Sequence, residues 1–187
     1  MAPGIRYRLF SPLSLPFESL NGVLMIGMLR FAKILALGAW IGAIIYFAAV
    51  VTQGAFAVSQ SRDQAGLLVG YTLGGLHLMG LIAALVFVSA SLVVGKSLRT
   101  FIGPAVLLVI LMAAFTIVSQ GYVIPRMNLL RAQMGSVEAT PASDPRRAQF
   151  DRLHTASVDI EGGILVAGLI ALFLTLRDKP PKPAVSS

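Results

Sequence analysis

RRAQFDRLHTASVDIEGG (146–163) runs without a helix breaker into ILVAGLIALFLTL (164–176). Asp144 and Pro145 stand just before it, as an N-cap and a first-turn proline. The stretch therefore predicts one long helix from 145 to 176. Its second half is uncharged and reads as part of a membrane span over about residues 153–176. Asp159 and Glu161 are pushed into the start of that span, with His154 about two turns before Glu161. Carboxylates entering hydrocarbon are costly, which makes them candidates for a functional site.

Composition supports the membrane reading. Of 187 residues, 56% are hydrophobic and 12% charged, where a soluble domain carries about 25% charge. Three further runs are almost free of charge, at about 31–58, 66–95 and 104–123. The expected fold is all-α: an integral membrane four-helix bundle in one domain, 29–176, with the lipid bilayer as its first partner. Residues 1–28 read as a cytoplasmic or interfacial lead-in, and 177–187 as a disordered, basic, proline-rich tail. The chain has no cysteine, which excludes disulfides, thiol nucleophiles and thiolate metal ligands. The net charge of +7 does not point to nucleic acid, because the basic residues flank the apolar runs, where they set topology and meet lipid.

Punctuation along the chain sharpens the spans. Gly38 and Gly42 in the first, and Gly70, Gly74 and Gly75 in the second, permit close helix approach. Trp40 lies inside the first span, where it either faces lipid or fills the bundle. Pro104 opens the third span and Pro125 is expected to end it. In the loop that follows, Met127, Leu130 and Met134 at spacings of three and four predict a short amphipathic helix at the interface. Four spans put both termini on one side. That side holds nine Lys and Arg (Arg6, Arg8, Arg30, Lys33, Lys96, Arg99, Arg177, Lys179, Lys182), against six on the other. The bias predicts cytoplasmic termini in a bacterial inner membrane.

Measured along each helix at about 1.5 Å per residue, polar side chains gather toward the end away from the termini. Gln53, His77, Gln120 and the group His154, Asp159 and Glu161 lie at similar depth on the four helices. Arg147, Asp151, His154, Ser157 and Glu161 share one face of the fourth helix, while Asp159 points elsewhere, toward Arg126, Arg152 or the short third-loop helix. In lipid such groups must find partners. His77 and His154 on two helices offer axial ligands for a haem iron. His77, His154 and Glu161 offer a set for a divalent metal ion. A His/Glu/Asp chain carries protons. A hydrogen-bonded cluster that only fixes helix register fits the same residues. Enzyme signatures are absent: there is no P-loop, G-x-S-x-G, H-E-x-x-H or dinucleotide fingerprint. The expectation is a non-enzymatic protein.

The blocks LGAWIGAIIYF (37–47), LHLMG (76–80), VIPRMNLLRAQMG (123–135) and AQFDRLHTASVDIEGG (148–163) resemble, in order and spacing, bacterial membrane proteins of unknown function grouped with eukaryotic transmembrane protein 205. A looser similarity links them to copper-resistance D membrane proteins. The resemblance implies a four-span bundle without established enzymatic activity and suggests metal handling. It marks His77, Pro125, Arg126 and His154 as family-matching positions. Two other readings stay open. One is an accessory subunit of a larger respiratory or photosynthetic membrane complex, in which His77 binds a pigment or the glycine faces dock partner helices, or a homo-oligomer. The other is a small proton-coupled transporter that depends on Glu161 or Asp159.

Overall fold

A computed structural model describes residues 17–95, 100 and 102–177, with side chains from residue 21 onward. The ordered elements are helical throughout. α1 (Phe17–Tyr46) passes through a π turn (Phe47–Val51) into α2 (Thr52–Val58), and α3 spans Arg62–Gly95. α4 (Pro104–Val118) passes through a second π turn (Ser119–Val123) into α5 (Ile124–Met134), and α6 spans Pro145–Arg177. The chain thus makes four rods, Asn21–Val58, Arg62–Gly95, Pro104–Met134 and Pro145–Arg177, each long and apolar enough to cross a membrane. α3 has 34 residues, about 51 Å of helix, so it tilts in or projects from a hydrocarbon core of about 30 Å.

The helix boundaries depart from the sequence reading at two places. Residues 17–28, expected as lead-in, are the opening turns of α1. The expected helix after Pro125 is present as α5, but no loop separates it from the third span. Proline lacks the N–H that would reach back one turn, and its ring crowds the carbonyl there. Here the π turn directly ahead absorbs the extra residue and keeps the dihedrals helical, with Val123 at φ −68° and ψ −53°. The first π turn is closed by Thr52, whose Oγ1 donates to Phe47 O at 3.1 Å. Residues 1–16, Lys96, Arg99 and the tail from 178 lie outside the described residues.

Each rod packs on its neighbours in chain order, and the first closes on the fourth through α1 and α6. Lipid tails offer apolar side chains nothing worse than a protein core does, so close fit and small residues hold such bundles together. Trp40, 2% exposed, fills the bundle and lies on Gly80, where a β-carbon would stand 2.4 Å from its Nε1. Gly168 of α6 admits Ile41 and Met112 in the same way. Leu37, Ile44, Phe87, Val109 and Ile164 complete this core. Lys33, expected as a flanking charge, is buried, and its ammonium lies 5.5 Å from the Phe87 ring centre.

The loop joining α5 to α6 straps one end of the bundle. Asp63 accepts from Ser136 Oγ at 2.5 Å and from Val137 N at 3.0 Å. Glu138 accepts from Arg62 N at 3.0 Å. Arg147 donates to Val137 O, and Arg146 donates to Gln133 O at 3.1 Å. The α2–α3 corner and the start of α6 therefore meet at this end, opposite the start of α1 and the end of α6.

Candidate functional site

His77 projects from α3 into the bundle between Leu76 and Gly80, and 2% of it is exposed. A buried imidazole needs partners for both nitrogens. Nδ1 lies 2.8 Å from Gln120 Oε1, in the second π turn. Nε2 lies 2.6 Å from Glu161 Oε1, on α6. The Glu161 side chain is 15% exposed. Three rods thus contribute one side chain each to a chain of hydrogen bonds, Gln120–His77–Glu161. The π turn matters here, because its widened register rotates the residues after it relative to an α-helix and falls on Gln120 itself.

Two hydrogen-bond patterns satisfy this geometry. With the Gln120 carbonyl toward Nδ1, the ring donates through Nδ1, and a second proton is shared between Nε2 and Glu161. With the amide turned over, Gln120 donates to an unprotonated Nδ1, and the ring donates from Nε2 to a carboxylate. The two states differ by one proton, and their exchange turns the Gln120 amide. Gln120 is exposed on its other side, where it lines an open cleft of about 1230 Å³ between α3 and the α4–α5 rod. Gly70, Gly74 and Gly75 form one wall, and Ile124, Asn128 and Arg131 the other.

The remaining sequence candidates fall outside this chain. His154 is exposed and stacks on Phe150 of its own helix, at 6.4 Å between ring centres and 3° between planes. Phe150 takes the inward place at that level, and no hydrogen bond or ring contact joins His154 to His77. Gln53 stands exposed on α2 without a hydrogen bond to the layer. Arg126 is exposed with its guanidinium 5.5 Å from the Tyr122 ring centre. Asp151 is exposed and pairs with Arg147 at 3.1 Å. Ser157 is buried on α6. Asp159 is exposed without a hydrogen bond or ion pair. Among the described residues no group of three or more His, Asp or Glu comes together in a way that holds a metal ion.

Sequence reading did not single out Arg131 and Asn128. Their signal is present in α5: Gln120, Ile124, Asn128 and Arg131, at steps of four, four and three, face the cleft together.

Fold and site together define a multi-pass membrane protein, a helical bundle with a buried polar chain beside an open cleft. Residues 35–136, more than half of the 187, match the family described as a domain of unknown function, DUF4149, and the chain belongs to that family. The matched segment contains His77, Gln120 and the cleft, and stops before Glu161. No curated protein and no solved structure matches the chain.

Proposed function

We propose that this protein is a small, non-enzymatic, proton-coupled membrane carrier in which the His77–Glu161 pair holds the exchangeable proton. The observation that carries this reading is the 2.8 Å and 2.6 Å bonding of both His77 nitrogens, to a cleft-lining amide on one side and a carboxylate on the other. With a proton on Nδ1, Gln120 turns its NH₂ to the cleft. Without it, Gln120 turns its carbonyl there. A solute in the cleft meets a donor in one state and an acceptor in the other, so its binding and the proton are linked. The larger Lys and Arg count at the termini end supports a reading with that end in the cytoplasm of a bacterial inner membrane.

Metal or haem binding, suggested by the resemblance to the transmembrane protein 205 group, takes second place. A ring nitrogen ligates through a free lone pair, and His77 would have to release Gln120 or Glu161 to offer one.

The test is proton flux into pyranine-loaded proteoliposomes under an imposed pH gradient. Glu161→Gln and His77→Phe are expected to lower flux at least about a hundredfold, the low end of the range for a positioned proton-transfer group. Asp159→Asn and His154→Phe should leave it unchanged. Wild-type flux equal to that of empty liposomes, or full flux in Glu161→Gln, sinks the reading.

A further inference from the structure

The cleft beside Gln120 has a charged end that the proton relay does not use. Arg131 stands there with its guanidinium 5.5 Å from the Phe150 ring centre. Gly66 makes room for it, since a β-carbon at that position would lie 3.3 Å from Nη2. A guanidinium carries five N–H donors. Arg131 has one long contact, Nη1 to Asn128 Oδ1 at 3.5 Å, and its Nε is buried without any partner. The acid at the same end, Asp63, forms no ion pair with it and is engaged by Ser136 and Val137. No Asp or Glu lines the cleft.

The wall opposite is equally unfinished. α3 packs on α4, but α5 leans onto α6, so the two walls splay toward Arg131. Gly70, Gly74 and Gly75 face open space, with no atom within 4 Å of a β-carbon built on any of them. A glycine face usually serves close helix contact, and here none of the described helices covers it. The rim carries Tyr71, 82% exposed, and nearby Tyr122 lies under Arg126. Exposed tyrosines with arginines mark the level of lipid headgroups. A basic pocket between helices at that depth suits an anionic headgroup, and the guanidinium fork matches two phosphate oxygens.

We propose that this cleft binds an anionic membrane phospholipid, its phosphate on Arg131 and Asn128 and an acyl chain along the glycine wall of α3. The proposal takes from the preceding reading only that the cleft is open, and it stands apart from the relay.

The test is native mass spectrometry of the full chain in detergent with equal amounts of phosphatidylglycerol and phosphatidylcholine of the same chain length. Wild type should retain the anionic lipid over the zwitterionic one by about tenfold, because both phosphates reach Arg131 but the choline ammonium of the zwitterionic lipid adds a cation beside the guanidinium. Arg131→Gln should lose that preference. Gly74→Leu should weaken both lipids, and Gly74→Ala should weaken them less. Equal retention in wild type, a preference that survives Arg131→Gln, or displacement of the lipid by inorganic phosphate alone overturns the proposal. So does a dimer that Gly74→Leu dissociates with lipid retention unchanged, because a second copy then covers the wall. His77→Phe should keep the lipid preference, which separates failure of this site from failure of the relay.

Discussion

Replacing Glu161 with Leu removes the charged partner, the only one among the described residues, of a histidine that is 2% exposed. If the imidazole stayed charged, breaking such a pair would cost about 3–5 kcal/mol. Here the ring escapes by giving up its proton, so the expected cost is that of one hydrogen bond to a charged group, about 1.5–3 kcal/mol. His77→Phe leaves the carboxylate, 15% exposed, to find water or a proton, at a similar or smaller cost. With both replaced neither member of the pair is left orphaned, Gln120 is exposed to the cleft in either His77→Phe background, and two apolar side chains share the space. The double variant should therefore be more stable than the two single losses predict, by a coupling of about 1.5–3 kcal/mol. Unfolding in mixed detergent micelles with increasing sodium dodecyl sulfate, on all four proteins, measures it. Losses that add to within about 0.5 kcal/mol would refute a direct His77–Glu161 interaction.

Two glycines of α3 should respond with opposite signs. Gly80→Ala drives a methyl group into Trp40 and should destabilise by about 1–3 kcal/mol. Gly74→Ala meets open space and should stabilise by up to about 1 kcal/mol through helix propensity; the same unfolding titration reads both. Asp63→Ala removes the acceptor of Ser136 and Val137, so amides of residues 135–144 should exchange faster while the core of α3 keeps its protection. Asp144, hydrogen-bonded and ion-paired to Arg146, has its carboxyl lowered from 3.8 to about 2. A lowered acid stabilises above its unfolded value and loses that contribution as pH falls through the folded one. Protection of the first turn of α6 should therefore hold down to about pH 4 and decline toward pH 2, and Asp144→Ala should remove the step.

Much of the fold was legible because hydrophobic length decides membrane spans directly. RRAQFDRLHTASVDIEGG with the apolar run behind it gave α6 nearly to the residue, and the depth ruler put His77, Gln120 and Glu161 at one level. Other features were not legible, for physical reasons. A ruler along the axis cannot tell rotation about it, so Gln53 and His154 were grouped with a layer that they do not join. His154 has the inward phase, but Phe150 on the same face is larger and takes the buried position. Pro125 read as a stop because a π turn leaves no mark in hydrophobic periodicity. Arg131 read as one more loop charge because the loop begins only after α5 ends at Met134. The cleft needed coordinates, since the divergence of α5 from α3 is a matter of which helix each one packs on.

The central claim is that His77 and Gln120 change state together. The chain has only two histidines, so ¹⁵N NMR of protein labelled at histidine and glutamine side chains in lipid bilayers gives two pairs of ring signals, and His77→Phe assigns them. As pH rises, the His77 Nδ1 signal should pass from protonated to unprotonated, and the Gln120 side-chain amide signal, assigned by its absence in Gln120→Leu, should shift with the same midpoint. A Gln120 amide that stays fixed while His77 titrates would contradict the account.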